Sequence, residues 1–288
     1  MNTEVALKVD GMSLAEAMGL STGGTTTSSQ SALARVGQVH SALTVTDEEG
    51  DEHIKVPVGS YKVTMPDGEV VYSKTISVRI FSQRHQLQRW DSNANTMHKT
   101  LLASSLNKDL KDTTGKFNLG RPSGYIKDFN ALPEDMKNVI RSVKRVRVFL
   151  GMLKMDKPID ETGKAVSGYD TEIPFVMDVK NMDSLKAMDA SISQIVTKKL
   201  TPVEHTIKLG NAKRDLPSGG KYAIIVPSLG DKVDYAPDDS QTLKDFLAWI
   251  SGTNQWIEGK YDEANAGSLS EEDAAIVGSI VEVREFEG

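Results

Sequence analysis

Two long runs of alternating side chains constrain this chain more than anything else in it: "YSKTISVRIFSQRHQLQRW" at 72–90 and "KRVRVFLGML" at 144–153. Successive side chains of a strand point to opposite faces. In the first run Ile76, Val78 and Ile80 therefore point one way and Ser77, Arg79 and Phe81 the other. In the second, Val146, Val148 and Leu150 alternate with Arg145, Arg147 and Phe149. Each run predicts a strand with one apolar face and an opposite face bearing arginine and phenylalanine.

Shorter signals fill in the rest. "HIKVPVGSYKVTM" reads as strands turned at Gly59, "MPDGEVVY" as a hairpin, and "EIPFVMDV", "HTIKLG" and "GKYAIIVPSL" as further strands. "LPEDMKNVIRSV" predicts a helix, with Pro133 near its first turn and acids where the helix N-terminus favours them. "DSLKAMDASISQIV" has helical periodicity, and "DSQTLKDFLAWISGTNQWIEGKYDEA" predicts one or two helices with a stripe of Leu243, Phe246, Leu247 and Ile250. Strands outnumber helices and do not alternate with them. The expected class is mainly β with helical insertions (α+β), a barrel or sandwich. Residues 1–50 are expected to be a flexible polar arm, because "STGGTTTSSQSA" is poor in apolar residues. The arm includes a short helix candidate with Ser13 and Glu16 in capping-box spacing. Residues 51–230 form the main domain, and 231–288 an acidic, partly helical region in which "AAIVGSIVEV" reads as a last strand.

Composition narrows function mainly by exclusion. There is no cysteine, which removes disulfide scaffolds, thiolate zinc sites and cysteine nucleophiles, and the five histidines never fall at i, i+4 spacing. A metal site is not expected, nor is a cofactor. No apolar run is long enough to span a bilayer and the N-terminus lacks a signal-peptide pattern, so no membrane partner and a cytoplasmic location are expected. Net charge is −6, yet residues 74–147 carry fifteen Lys/Arg against six Asp/Glu, a local +9. From Asp231 onward fourteen acids face four bases. A chain polarised in this way carries a basic surface that suits a polyanion.

Within the basic segment lies "GKFNLGRPSGYIKDF", at 115–129, which combines glycines, a proline, aromatics and cations. It is not a P-loop, since no Gly-Lys-Ser/Thr ends it, and Ser123 in "GRPSG" is misplaced for a nucleophile elbow. Asp156, Asp160 and Asp170 share one loop and would be the carboxylates of a metal-dependent nuclease, but they read equally as a solvated turn. No enzyme class is supported, and the expected protein is not an enzyme.

Single-stranded nucleic acid asks a surface for cations that follow phosphates and flat side chains on which bases stack. The first alternating run offers Arg79, Phe81, Arg84, His85, Arg89 and Trp90. The glycine-rich stretch adds Lys116, Phe117, Arg121, Tyr125 and Lys127, and the second run Arg145, Arg147 and Phe149. If the two strands are neighbours, their polar faces are expected to make one groove that the glycine-rich loop closes. A structural reading remains beside this one: the aromatics as core, the arginines as partners of the acidic C-terminal region.

The segments "TISVRIFSQRHQLQRWD" and "GKFNLGRPSGYIKDFNALPEDMKNVIRSVKRVRVFLG" resemble a group of proteins encoded by marine bacteriophages and associated with single-stranded-DNA binding in phage replication. The likeness spans about residues 50–260 and is strongest in "FNLGRPSGYIKDF". It implies an OB-like β-barrel for residues 51–230, non-catalytic binding of single-stranded DNA in DNA replication or recombination, and action in the host cytoplasm. It also implies an acidic C-terminus that recruits replication proteins, although here Phe286 is followed by Glu287 and Gly288 and is not terminal. The zinc site of some such proteins has no counterpart in a chain without cysteine. The rival expectation is a phage structural or assembly protein, a homo-oligomer held by its polarised charge.

Overall fold

The computed structural model describes residues 33–215 and 220–266. Among them the strands are β1 Ala34–Gln38, β2 Leu43–Thr46, β3 Glu52–Val56, β4 Tyr61–Thr64, β5 Val70–Ser73, β6 Thr75–Asp91, β7 Thr96–Lys99, β8 Lys144–Asp156, β9 Ile173–Val179, β10 His205–Asp215 and β11 Lys221–Lys232. The helices are α1 Glu134–Ser142, α2 Met182–Thr197 and α3 Pro237–Ala266.

The protein is mainly β, built on one large mixed sheet in the order β11-β10-β6-β8-β9-β1-β4-β5, with β7 on the far half of β6 and β2–β3 as a separate ribbon. All its ladders are antiparallel except β1–β9. No strand pairing closes the path into a ring among the described residues. The sheet does curl, because the Tyr61 hydroxyl in β4 donates to the Gly210 carbonyl in β10 at 2.8 Å.

Helices cover both faces. On one, α2 packs Leu185, Met188 and Ile195 onto Ile76, Val78, Phe149, Leu153, Phe175 and Ile207. Its first turn is capped by Asn181, whose side chain accepts from the Asp183 and Ser184 amides. On the other, α3 sets Phe246, Trp249 and Ile250 against Phe81, Val146, Val148, Leu150 and Val176. Of the stripe expected on "LKDFLAWI", Leu243, Phe246 and Ile250 pack inward, whereas Leu247 is exposed and Trp249 is buried beside them; the helix is one continuous element rather than two. Residues 237–266 are part of the layered body, so the boundary expected at 231 cuts through packed structure. No helix among the described residues is long and apolar enough to cross a membrane.

The expected arm also ends too late. Ala34 and Val36 alternate inward with Arg35 and Gly37 outward, and this strand sits between β9 and β4 in the middle of the sheet. The capping-box helix near Ser13, the polar stretch at 21–32 and the last strand near Val281 lie outside the described residues.

β6 and β8 pair along almost their whole length, so the two alternating runs are neighbours. Their polar faces nevertheless do not coincide. Between Ile80 and Ser82 the register shifts at a bulge, where Phe81 is the extra residue. One inserted residue reverses which face every later side chain occupies. Beyond it Gln83, His85, Leu87 and Arg89 share the α2 face with Arg145 and Arg147, while Arg84, Gln86, Gln88 and Trp90 turn to the α3 face. Gly151 sits across from the bulge, where a Cβ would run into the Arg79 carbonyl oxygen.

Arg79 is 6% exposed and holds the layers together. Its Nε and Nη2 donate to Glu172, its Nη1 and Nη2 to Asp239 of α3, and Nη1 also to the Val203 carbonyl. The guanidinium lies 5.2 Å from the Phe81 ring centroid, and Phe81 meets Phe246 edge-on at 5.6 Å.

Candidate nucleic-acid interface

The sequence-predicted groove residues divide into those built into the fold and those left at the surface. Arg79 is spent on two carboxylates; Phe81 and Phe149 are core side chains, Phe149 with no exposed surface. These three correct the expected groove: Arg79 pairs with Met152 and lies with Phe81 on the α3 face, opposite Arg145 and Arg147, and the bulge is the reason that His85 and Arg89 part from Arg79. Arg84 lies on the α3 face and donates to Ser82 Oγ and the Gln83 carbonyl.

What the structure does bring together is Arg145 and Arg147 beside His85 on the α2 face, with Arg121 next to Arg145 and Arg89 on the Leu119 carbonyl of the adjoining loop. Two adjoining clefts meet at Arg145 and Leu106. One is floored by His85, Arg147 and the start of α2, with Ser105 and Asn107 on its rim. The other is walled by Arg121, Pro122, Ser123 and Gly124 of the glycine-rich loop. Arg147 is tied to Asp189 of α2 and to Gln83 Oε1, both at 3.0 Å. Arg121 reaches only the Ile140 carbonyl, and neither it nor Arg145 has a carboxylate partner among the described residues. Burial, and then the charge of Arg145, pulls Arg121 below the usual guanidinium range. Burial followed by Arg147 likewise holds the His85 imidazole below its usual value, so His85 is neutral near pH 7. Arginines crowded without counter-charge are what an anion would stabilise.

The loop is held in place from within. Asn118 and Leu119 both adopt positive φ, 55° and 58°, ahead of Gly120 at 78°. For a leucine that backbone is strained. It is fixed by burying the Leu119 side chain against Leu87 and Val143 and by the buried carboxylate of Asp112. Asp112 Oδ2 accepts from the Leu119 amide at 2.6 Å, and Oδ1 from the amides of Thr114 and Lys116 and the Thr114 hydroxyl. Arg89 Nη1 then closes the turn on the Leu119 carbonyl. The residues displayed beyond this anchor are the open ones: Tyr125 is 91% exposed, and Lys127 and Ser123 are also free at the surface. Asp112→Ala leaves the buried Leu119 amide and the part-buried Thr114 and Lys116 amides without this acceptor, and is expected to lower stability by about 2–3 kcal/mol. Thermal unfolding and hydrogen exchange of the 112–120 amides would check it; unchanged protection there would show that the carboxylate does not hold the loop.

Lys116 is exposed, and Phe117 packs on Tyr261 of α3 with centroids 5.6 Å apart, away from the two clefts. Sequence reasoning missed Asp112, although "DTTGK" carries the side-chain-to-backbone turn signature of an aspartate. The carboxylates considered for a metal are not grouped: Asp160 Oδ1 takes the Thr162 and Lys164 amides of its own turn, and Asp156 accepts from Thr75. A larger cavity, about 450 Å³, opens at the C-terminal ends of β1 and β9 beside the start of α2, and none of the predicted site residues lines it. No family model matches this chain, and neither a curated protein nor a solved structure is found to match it.

Proposed function

We propose that this protein binds single-stranded DNA without catalysing a reaction on it, with the strand lying on the α2 face between the glycine-rich loop and the α2 N-terminus. The observation that carries the reading is the Arg121–Arg145 pair: two guanidiniums drawn together at the meeting of two clefts, with no carboxylate between them. Phosphates would supply the missing charge, the loop's open Gly124 lets backbone approach them closely, and Tyr125 offers a ring for an unstacked base. The likeness of the loop and its flanking strands to phage single-strand binders supports the same reading. It extends the proposal to phage DNA replication or recombination in the host cytoplasm, with the acidic C-terminal region recruiting replication proteins. The OB-like description rests on the curl that brings Tyr61 to Gly210.

The test is neutralisation. Arg121→Gln with Arg145→Gln removes two phosphate contacts, so the slope of log Kobs against log salt for oligo-dT should become shallower by about 1.4, at roughly 0.7 per contact. Affinity at low salt should fall at least tenfold. An unchanged slope would remove the strand from this cleft. Tyr125→Ala, a surface change with little expected effect on folding, should weaken oligo-dT by about 1–3 kcal/mol if a base stacks there. The same anisotropy titration reads it.

A further inference from the structure

The opposite face carries a second cluster of cations and aromatics that the sequence does not group. Lys99 of β7 lies in a cleft of about 260 Å³ between the sheet and α3, with Arg35 of β1 and Lys180, just after β9, on the same walls. Lys99 has no carboxylate within ion-pair distance among the described residues. Its ammonium sits 5.0 Å from the Trp256 ring centroid, and burial first, then the charge of Arg35, draws its pKa down against the pull of Asp178. Asp178 itself accepts from Gln88 Nε2 at 2.8 Å, and Gln88 is linked through Gln86 to the Thr100 carbonyl. The cleft therefore holds three cations against one carboxylate that is already hydrogen-bonded.

Flat side chains stand at its rim. Trp256 is 44% exposed, and Trp90, 53% exposed, faces Met97 across the β6–β7 ladder on this same side. An exposed tryptophan beside a half-buried, unpaired ammonium suits one chemical unit: a base attached to a phosphate.

We infer that the α3-face cleft is a second contact site for single-stranded nucleic acid, taking a phosphate on Arg35, Lys99 and Lys180 and stacking bases on Trp256 and Trp90. This rests on the single-strand reading of the α2 face and extends it. Arg89 and Trp90 are successive residues of β6 that point to opposite faces, so a strand passing over the β6–β7 end reaches both sites. A short oligonucleotide fills one site; a longer one engages both.

The three tryptophans make the cleft visible, since Trp90 and Trp256 stand at its rim while Trp249 is buried in its wall. Oligo-dT of about 30 nucleotides, beyond the roughly 4–16 covered by a single binding fold, is titrated with two readouts. Anisotropy of the labelled DNA reports binding anywhere, and intrinsic tryptophan fluorescence reports this cleft. The expected result is saturable quenching that tracks the anisotropy and is largely lost in Trp256→Phe with Trp90→Phe. Lys99→Gln with Arg35→Gln should weaken the long oligonucleotide about tenfold and change an octamer held by the α2 face much less. Saturable anisotropy without quenching, or full affinity in the Lys99/Arg35 variant, would overturn the second site while leaving the first intact. No anisotropy change at all would overturn the single-strand reading and this site with it.

Discussion

Asp239→Ala is expected to destabilise the protein by about 3 kcal/mol, the lower end of the cost of breaking a buried ion pair. The change strips Arg79 of one of its two carboxylates in a nearly dry site and takes the acceptor from the Ala236 amide. Glu172 keeps the other side of the guanidinium and prevents the full loss. Replacing the whole cluster, Arg79→Met with Asp239→Leu and Glu172→Gln, should recover part of the deficit, because no buried charge is then left unpaired, while the Ala236 amide still lacks its acceptor. The network also has a pH signature. Burial would raise the Asp239 carboxyl, but the hydrogen bonds from Arg79 and the Ala236 amide outweigh it, so the folded pKa lies below the usual carboxylate value. Its stabilisation is present above the unfolded pKa, near 4, and lost as pH falls through the lower folded value. Urea midpoints of wild type and Asp239→Asn should differ at pH 7 and draw together as pH falls below the usual carboxylate range. A constant difference would remove the ion pair from the account.

Gly151→Ala should be at least as damaging, about 3 kcal/mol or more. The added methyl meets a backbone carbonyl, Arg79 O, in the most extensive ladder of the sheet, and neither strand can retreat without giving up hydrogen bonds on its other side. If the bulge at Phe81 can slide, the variant will instead fold with near-native stability and an altered register. Cross-strand contacts between residues 79 and 152 measured by NMR distinguish the two outcomes.

Much of the framework was legible because it follows from local alternation. The β6 and β8 runs, the Asp67–Gly68 hairpin, α1 and α2 stand where periodicity and turn chemistry place them, and so does the α3 stripe except for Leu247, which is exposed. The bulge was not legible. "IFSQRH" continues a plausible alternation either way, and only pairing against Gly151 shows that one residue is extra. That single residue put His85 and Arg89 on the face of Arg145 and Arg147, away from Arg79 and Phe81. β1 was hidden by the polar stretch before it, since five residues of alternation carry little signal until β9 and β4 flank them. Arg121 and Arg145 were grouped in the sequence only because they come from one basic segment, and they were grouped there together with Arg79, Phe81 and Phe149, which the fold places elsewhere. Arg35, Lys99, Lys180 and Trp256 lie far apart in sequence and meet only through tertiary packing.

The central claim is that the basic clefts hold a single strand, and fluorescence anisotropy of labelled oligo-dT at several salt concentrations, with matching duplex as control, tests it most directly. With about five phosphates neutralised across the sites, log Kobs should fall against log salt with a slope near −3.5, and the single strand should be preferred over duplex. No binding at low salt, or binding indifferent to salt, would contradict the account and return these arginines to protein-facing roles.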